Sequence, residues 1–171
     1  MKRVRVKTPT RKPRDAAIEA CYRNEGFLAI ALIRAGWPSE QQHKFCLDEA
    51  AYWNCIETCE DLLQEGLSTE TTKKYHHTAL HWCASKGHSH ILKLLLRYGA
   101  PINPNNFRLC TPLDYAVDRG RLECAEILLE HGAHLGNDNL EKYTRLLNGE
   151  DDGDSDDDLD MIELVGRYIK A

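Results

Sequence analysis

The chain contains no run of 18 apolar residues and no apolar core of the kind a secretory leader carries, so neither a membrane span nor secretion is expected. Only three of its residues are Phe, which suits an aliphatic helical stack better than a sheet-rich core. Seven cysteines, at 21, 46, 55, 59, 83, 110 and 124, form an odd set without framework spacing, which points to reduced thiols in the cytosol or nucleus. Paired C-x2-C spacing is missing, so no metal site is expected although Cys55 and Cys59 stand four apart and His76, His77, His81 and Cys83 crowd one stretch. A Gly-rich phosphate loop and a nucleophile elbow are missing too, and nothing specifically supports a Cys–His nucleophile, so neither a cofactor nor catalysis is expected.

What the chain does have is a period. The stretch TALHWCASKGHSHILKLLLRYGAPIN from Thr78 aligns with TPLDYAVDRGRLECAEILLEHGAHLG from Thr111 at a spacing of 33 residues. Leu80 maps to Leu113, Ala84 to Val117, Gly87 to Gly120, Leu96 to Leu129 and Gly99 to Gly132. Within one copy Leu80, Ala84, Ile91, Leu92, Leu95 and Leu96 recur at helical spacing, and Gly87 breaks the run so that two short helices fold back on each other. Helices of about ten residues are marginal alone, so each copy must bury its apolar face against its neighbours. Gly99 and Gly132 stand where a left-handed C-terminal cap is wanted.

This skeleton resembles the ankyrin repeat, whose T-P-L-H-x-A opening is nearly intact from Thr78. The resemblance implies an all-α solenoid of stacked helix-turn-helix repeats joined by short hairpin loops. It also implies that Thr78 and His81 cap a helix and tie adjacent repeats by hydrogen bonds, a tie that Asp114 weakens in the next copy. Upstream, FCLDEAAYWNCIETCEDLLQEG fits the same frame, with Leu47, Ala50, Ala51, Leu62 and Leu63 at core places and Asn54 where Gly87 would be. AAIEACYRNEGFLAIALIRAGW fits 30 residues earlier, with Ala20, Cys21, Leu32 and Ile33 in register. The expected organisation is a basic extended tail (1–14), an N-terminal cap (15–44), a divergent repeat (45–77), repeats at 78–110 and 111–136, and C-terminal capping helices (137–171) with an acidic insertion at 150–160. Leu140, Tyr143, Leu146 and Leu147 would form the inner side of one capping helix, and Leu159, Ile162, Val165 and Ile169 that of the other.

Charge is segregated. Lys2, Arg3, Arg5, Lys7, Arg11, Lys12 and Arg14 occupy the first 14 residues without an acid, while residues 150–160 hold eight acids without a base. Pro9 and Pro13 argue for an extended tail. That tail reads as a nuclear-localisation patch, a contact with an anionic surface such as nucleic acid, or a solvated segment; the prolines make a mitochondrial presequence less expected. The acidic run reads as a solvated loop, a receiver for a basic partner or a mask for the tail. Ser155 sits in a context that acidophilic kinases of the casein kinase 2 type prefer, and Thr8-Pro9 resembles a proline-directed site.

The ankyrin resemblance further implies that contacts come from hairpin tips and from the exposed start of the turn inside each helix pair, lining a concave face. Carried over by register, those places are Tyr52, Trp53, Lys74, Tyr75, His77, Ser85, Lys86, Phe107, Arg108, Asp118 and Arg119. Aromatic anchors among basic residues are the side chains that dominate interface energetics. The expected function is a non-enzymatic adaptor or inhibitor that binds another protein, in the cytoplasm or nucleus and without a membrane. The alternative is a structural subunit or assembly escort that uses the charged ends.

Overall fold

A computed structural model describes residues 16–36, 40–70, 76–149 and 156–169. Ten α-helices and no strands are found among them, and they fall into five antiparallel pairs: α1 (Ala16–Tyr22) with α2 (Gly26–Arg34), α3 (Glu40–Tyr52) with α4 (Ile56–Gln64), α5 (Ala79–Lys86) with α6 (Ser89–Arg97), α7 (Pro112–Asp118) with α8 (Leu122–Glu130), and α9 (Asn137–Leu147) with α10 (Asp156–Ile169). The first helices stack as one column, α1 on α3 on α5 on α7, and the second helices as another, α2 on α4 on α6 on α8, with α10 continuing beside α8. Each pair is therefore an incomplete core that its neighbours finish.

The turn inside each of the first four pairs is closed by a residue with positive φ: Asn24 (59°), Asn54 (61°), Gly87 (82°) and Gly120 (61°). Asparagine tolerates this left-handed region better than other residues with a Cβ. Asn24 also reaches into the next pair, where its Oδ1 accepts from the Thr58 N–H at 3.3 Å and the Thr58 hydroxyl at 3.0 Å while its amide donates to Glu57 at 2.6 Å. The side chain of one turn thus caps the first turn of α4.

The core is one continuous aliphatic seam. Leu47, Leu62, Leu80, Ile91, Leu92, Leu95, Leu113 and Leu128 are fully buried, and truncating such a residue typically costs about 2 to 5 kcal/mol. Cys21, Cys46, Cys59, Cys83 and Cys124 are buried among them as small apolar groups.

The last pair departs from the expected inner faces. Tyr143 and Val165 are buried, but Leu140 and Leu159 are exposed, and Met161 and Leu164 take core places instead. The reason is register: 161, 164 and 165 share one stripe of α10, and Leu159, two residues before Met161, points about 200° away from it. α10 also begins inside the acidic run, so Asp156 to Asp160 belong to a helix. Residues 150–155, including Ser155, lie outside the described residues, as do the basic tail at 1–14 and Thr8.

Candidate interaction face

The helix starts position the site. Thr78 precedes α5 with extended backbone, and its N–H donates to His81 Nδ1 at 3.1 Å. The other ring nitrogen is then the donor, and it reaches the Cys110 carbonyl at 3.1 Å. One fully buried imidazole therefore caps its own helix and ties it to the loop that leads into α7. Burial holds its pKa down to about 4, so it stays neutral at physiological pH.

Asp114 occupies the same place in the next copy and does not weaken the tie as the sequence led us to expect. It reverses the polarity. Its Oδ2 accepts from the Thr111 N–H at 2.7 Å, and its Oδ1 accepts from the Gly136 N–H at 2.9 Å and the Asn139 amide at 3.0 Å. A Cβ at Gly136 would lie 2.7 Å from Asp114 Oδ2, so the missing side chain is what admits the carboxylate.

Upon this frame an aromatic ridge crosses four helix pairs along the first-helix column. Tyr22 of α1 lies 6.3 Å from Trp53, which is 5.2 Å from Tyr52. Tyr52 is in turn 5.2 Å from Trp82 of α5, on which His77 stacks at 5.0 Å. His77 Nε2 then meets the Tyr115 hydroxyl of α7 at 2.8 Å. Several joints are edge-to-face or offset, the arrangements that ring quadrupoles favour. The ridge is also pinned by polar bonds: Trp53 Nε1 donates to Glu49 at 3.2 Å, and His88 Nε2 donates to the Tyr52 carbonyl at 3.2 Å.

A second exposed aromatic sits on the loop before α7. Phe107 is 66% exposed and lies 4.2 Å from His76. The loop is held from within by buried Asn106, whose Oδ1 accepts from the N–H groups of Arg108 (2.8 Å) and Cys110 (3.1 Å) and whose amide reaches Tyr115 at 3.0 Å. The loop held in this way presents Phe107 and Arg108 to solvent.

Of the residues singled out from sequence, Tyr52, Trp53 and His77 lie on the ridge. Lys86 borders it, with its ammonium 4.4 Å above the Tyr52 ring. Ser85 is half-buried, and Arg108, Asp118 and Arg119 are exposed. Lys74 and Tyr75 lie outside the described residues. Sequence reasoning missed Tyr22, Glu49, Trp82, Asn106 and Tyr115. The signal for two of them was available, because Trp82 and Tyr115 are 33 residues apart and each directly follows the capping residue of its copy.

The face is poor in chemistry. Among the described residues no cluster of three His, Cys, Asp or Glu side chains could hold a metal ion. Burial raises the Cys110 thiol above its usual pKa and pushes Cys124 up to about 11, so both are protonated at neutral pH. No helix among the described residues is long and apolar enough to cross a membrane.

Comparison with known proteins agrees with the geometry. The family described as ankyrin repeats, in three copies, matches residues 47–139. A putative ankyrin repeat protein of fowlpox virus is 27% identical over 81 residues, covering 47% of this chain and 12% of that protein. A human palmitoyltransferase is 29% identical over 106 residues, covering 61% of this chain and 17% of that protein. Human ankyrin repeat domain-containing protein 13B is 43% identical over 58 residues, covering 34% of this chain and 9% of that protein. The chain thus matches only a small fraction of each relative's length, and the similarity is one of the repeat segment.

Proposed function

Because the chain belongs to the ankyrin-repeat family, a non-catalytic fold that generally serves protein–protein interaction, we propose that it is an adaptor or inhibitor gripping a partner protein on its concave hairpin and first-helix face. The observation that carries this reading is the ridge from Tyr22 to Tyr115. Trp53 is 57% and Phe107 66% exposed, and a partner that covers them buries a large area at low cost in side-chain entropy. The hydrogen bonds of Glu49, His88 and Asn106 already hold parts of the ridge in place, which lowers the ordering cost of binding. Tyr52, Trp53, His77 and Phe107 would anchor the partner, with Lys86, Arg108, Asp118 and Arg119 at the polar rim and Lys74, Tyr75 and Ser85 as further contacts. Six buried thiols and one half-buried one, none of them in a disulfide, suit a reducing cytoplasm or nucleus.

The charge segregation supports a second reading, an assembly escort in which the basic tail meets an anionic component and the acidic run meets a basic one. Affinity capture from a lysate of the source cells tests both. The chain, a Trp53→Ala/Phe107→Ala variant and a version lacking residues 1–14 are compared at low and high salt. Capture that survives salt and is lost only with the double variant supports the adaptor. Capture lost with the tail or with salt, while the double variant still binds, supports the escort.

A further inference from the structure

Between the second and third helix pairs the ridge opens into a groove of about 240 Å³ lined by Asp48, Glu49, Tyr52, Trp53 and Trp82. Its aromatic walls stand at right angles. The Tyr52 ring is inclined 76° to the Trp53 ring and 80° to the Trp82 ring, each with centroids 5.2 Å away. Three aromatic rings and two carboxylates in the lining form an environment that favours a cation over an anion.

Tyr52, one of the rings that line this groove, already holds a positive charge against its face. The Lys86 ammonium lies 4.4 Å above the Tyr52 centroid. We infer that this groove takes the cationic side chain of a lysine- or arginine-rich segment of the partner protein, and that Lys86 is an internal stand-in which the partner's cation displaces or joins. The inference rests on the proposed interaction function and narrows the partner to one with a basic recognition segment. Charge complementarity agrees with it, since the charged residues of the lining are Asp48 and Glu49. Trp53 is held for the task, because its indole N–H donates to Glu49 while the residue stays exposed beside Tyr22 and Tyr52.

The test uses the full chain and a blocked octalysine peptide, with octaglutamate as the control. The acidic run at 150–160 would also attract octalysine, so binding is read at the indole N–H resonances of Trp53 and Trp82 by NMR. Octalysine is expected to shift both resonances and octaglutamate neither. Trp53→Leu, at an exposed position, and Glu49→Gln are each expected to weaken the affinity read at Trp82 by about threefold to tenfold. Lys86→Met is expected to strengthen it by about threefold, because the internal competitor is gone. Melting curves establish that each variant is folded. Unshifted indole resonances, equal affinity in Trp53→Leu, or weaker binding in Lys86→Met would overturn the inference. If those results appear while partner capture still depends on Trp53 and Phe107, the cation reading fails and the adaptor reading stands.

Discussion

The pair α5–α6 and the pair α7–α8 share one 33-residue frame, yet they close onto the segment leading into the following helix pair with opposite hydrogen-bond polarity. His81 donates to the Cys110 carbonyl just before α7, whereas Asp114 accepts from a backbone N–H and a side-chain amide. Both side chains are buried and both also bond the N-cap threonine of their own helix. The frame therefore demands a connection at this place and leaves its chemistry open. What decides between the two is the neighbour: Gly136 lets a short carboxylate come close, while the Cys110 carbonyl needs a donor with longer reach.

If the two pairs are equivalent in their cores, equivalent truncations cost the same. Leu95→Ala and Leu128→Ala, 33 residues apart and both fully buried, are each expected to lose about 2 to 5 kcal/mol in urea melts and to agree within about 1 kcal/mol. A large disagreement would show that the repeats are not stabilised alike.

Acid separates the pairs. His81 has a folded pKa of about 4 against the usual 6.5, so as pH falls the unfolded chain takes up the proton first. The contribution is fully present above about pH 6.5 and is lost as pH drops toward 4, amounting to about 3 kcal/mol. Melts between pH 7 and 4 should show this slope, and a His81→Gln variant should show less of it.

Exchanging polarity is the next test. His81→Asp places an acceptor against the Cys110 carbonyl and is expected to cost about 2 to 3 kcal/mol at pH 7. The same measurement on Asp114→His should also show a loss, since the Gly136 N–H then faces no carboxylate. A stable variant of either kind would contradict the role given to the neighbour.

The turns give the smallest difference. At Gly87 an added Cβ would lie 3.1 Å from Arg121 Cδ, while at Gly120 it meets nothing within 4 Å. Both positions have positive φ. Gly87→Ala and Gly120→Ala are each expected to lose about 1 kcal/mol or more from the backbone alone, with Gly87→Ala the worse of the two in thermal melts.

Much of this was legible because the repeat is a periodic object. The 33-residue spacing located the helix pairs, and Asn54 could be read as a turn residue by its alignment with Gly87. Asn24 plays the same part 30 residues earlier, but its bond to α4 depends on a neighbouring pair that periodicity alone does not display. The last pair was less legible, since Leu140 and Leu159 fit an apolar stripe on paper whereas the stripe that packs runs through Met161, Leu164 and Val165. At the proposed interaction face, Trp53 and Phe107 are expectations from register. The ridge itself was not legible, because Tyr22, Trp82 and Tyr115 come from three different pairs and meet only when these stack.

The most direct measurement is the affinity of the captured partner, by calorimetry at high salt, for three forms: the native chain, Trp53→Ala/Phe107→Ala on the first-helix face, and Arg97→Ala/Glu126→Ala on the exposed side of α6 and α8. The account expects the first variant to lose tenfold or more, about 1.4 kcal/mol at the least, and the second to bind as the native chain does. Native affinity in the first variant with a loss in the second would contradict it, and would move the interaction to the opposite column of helices.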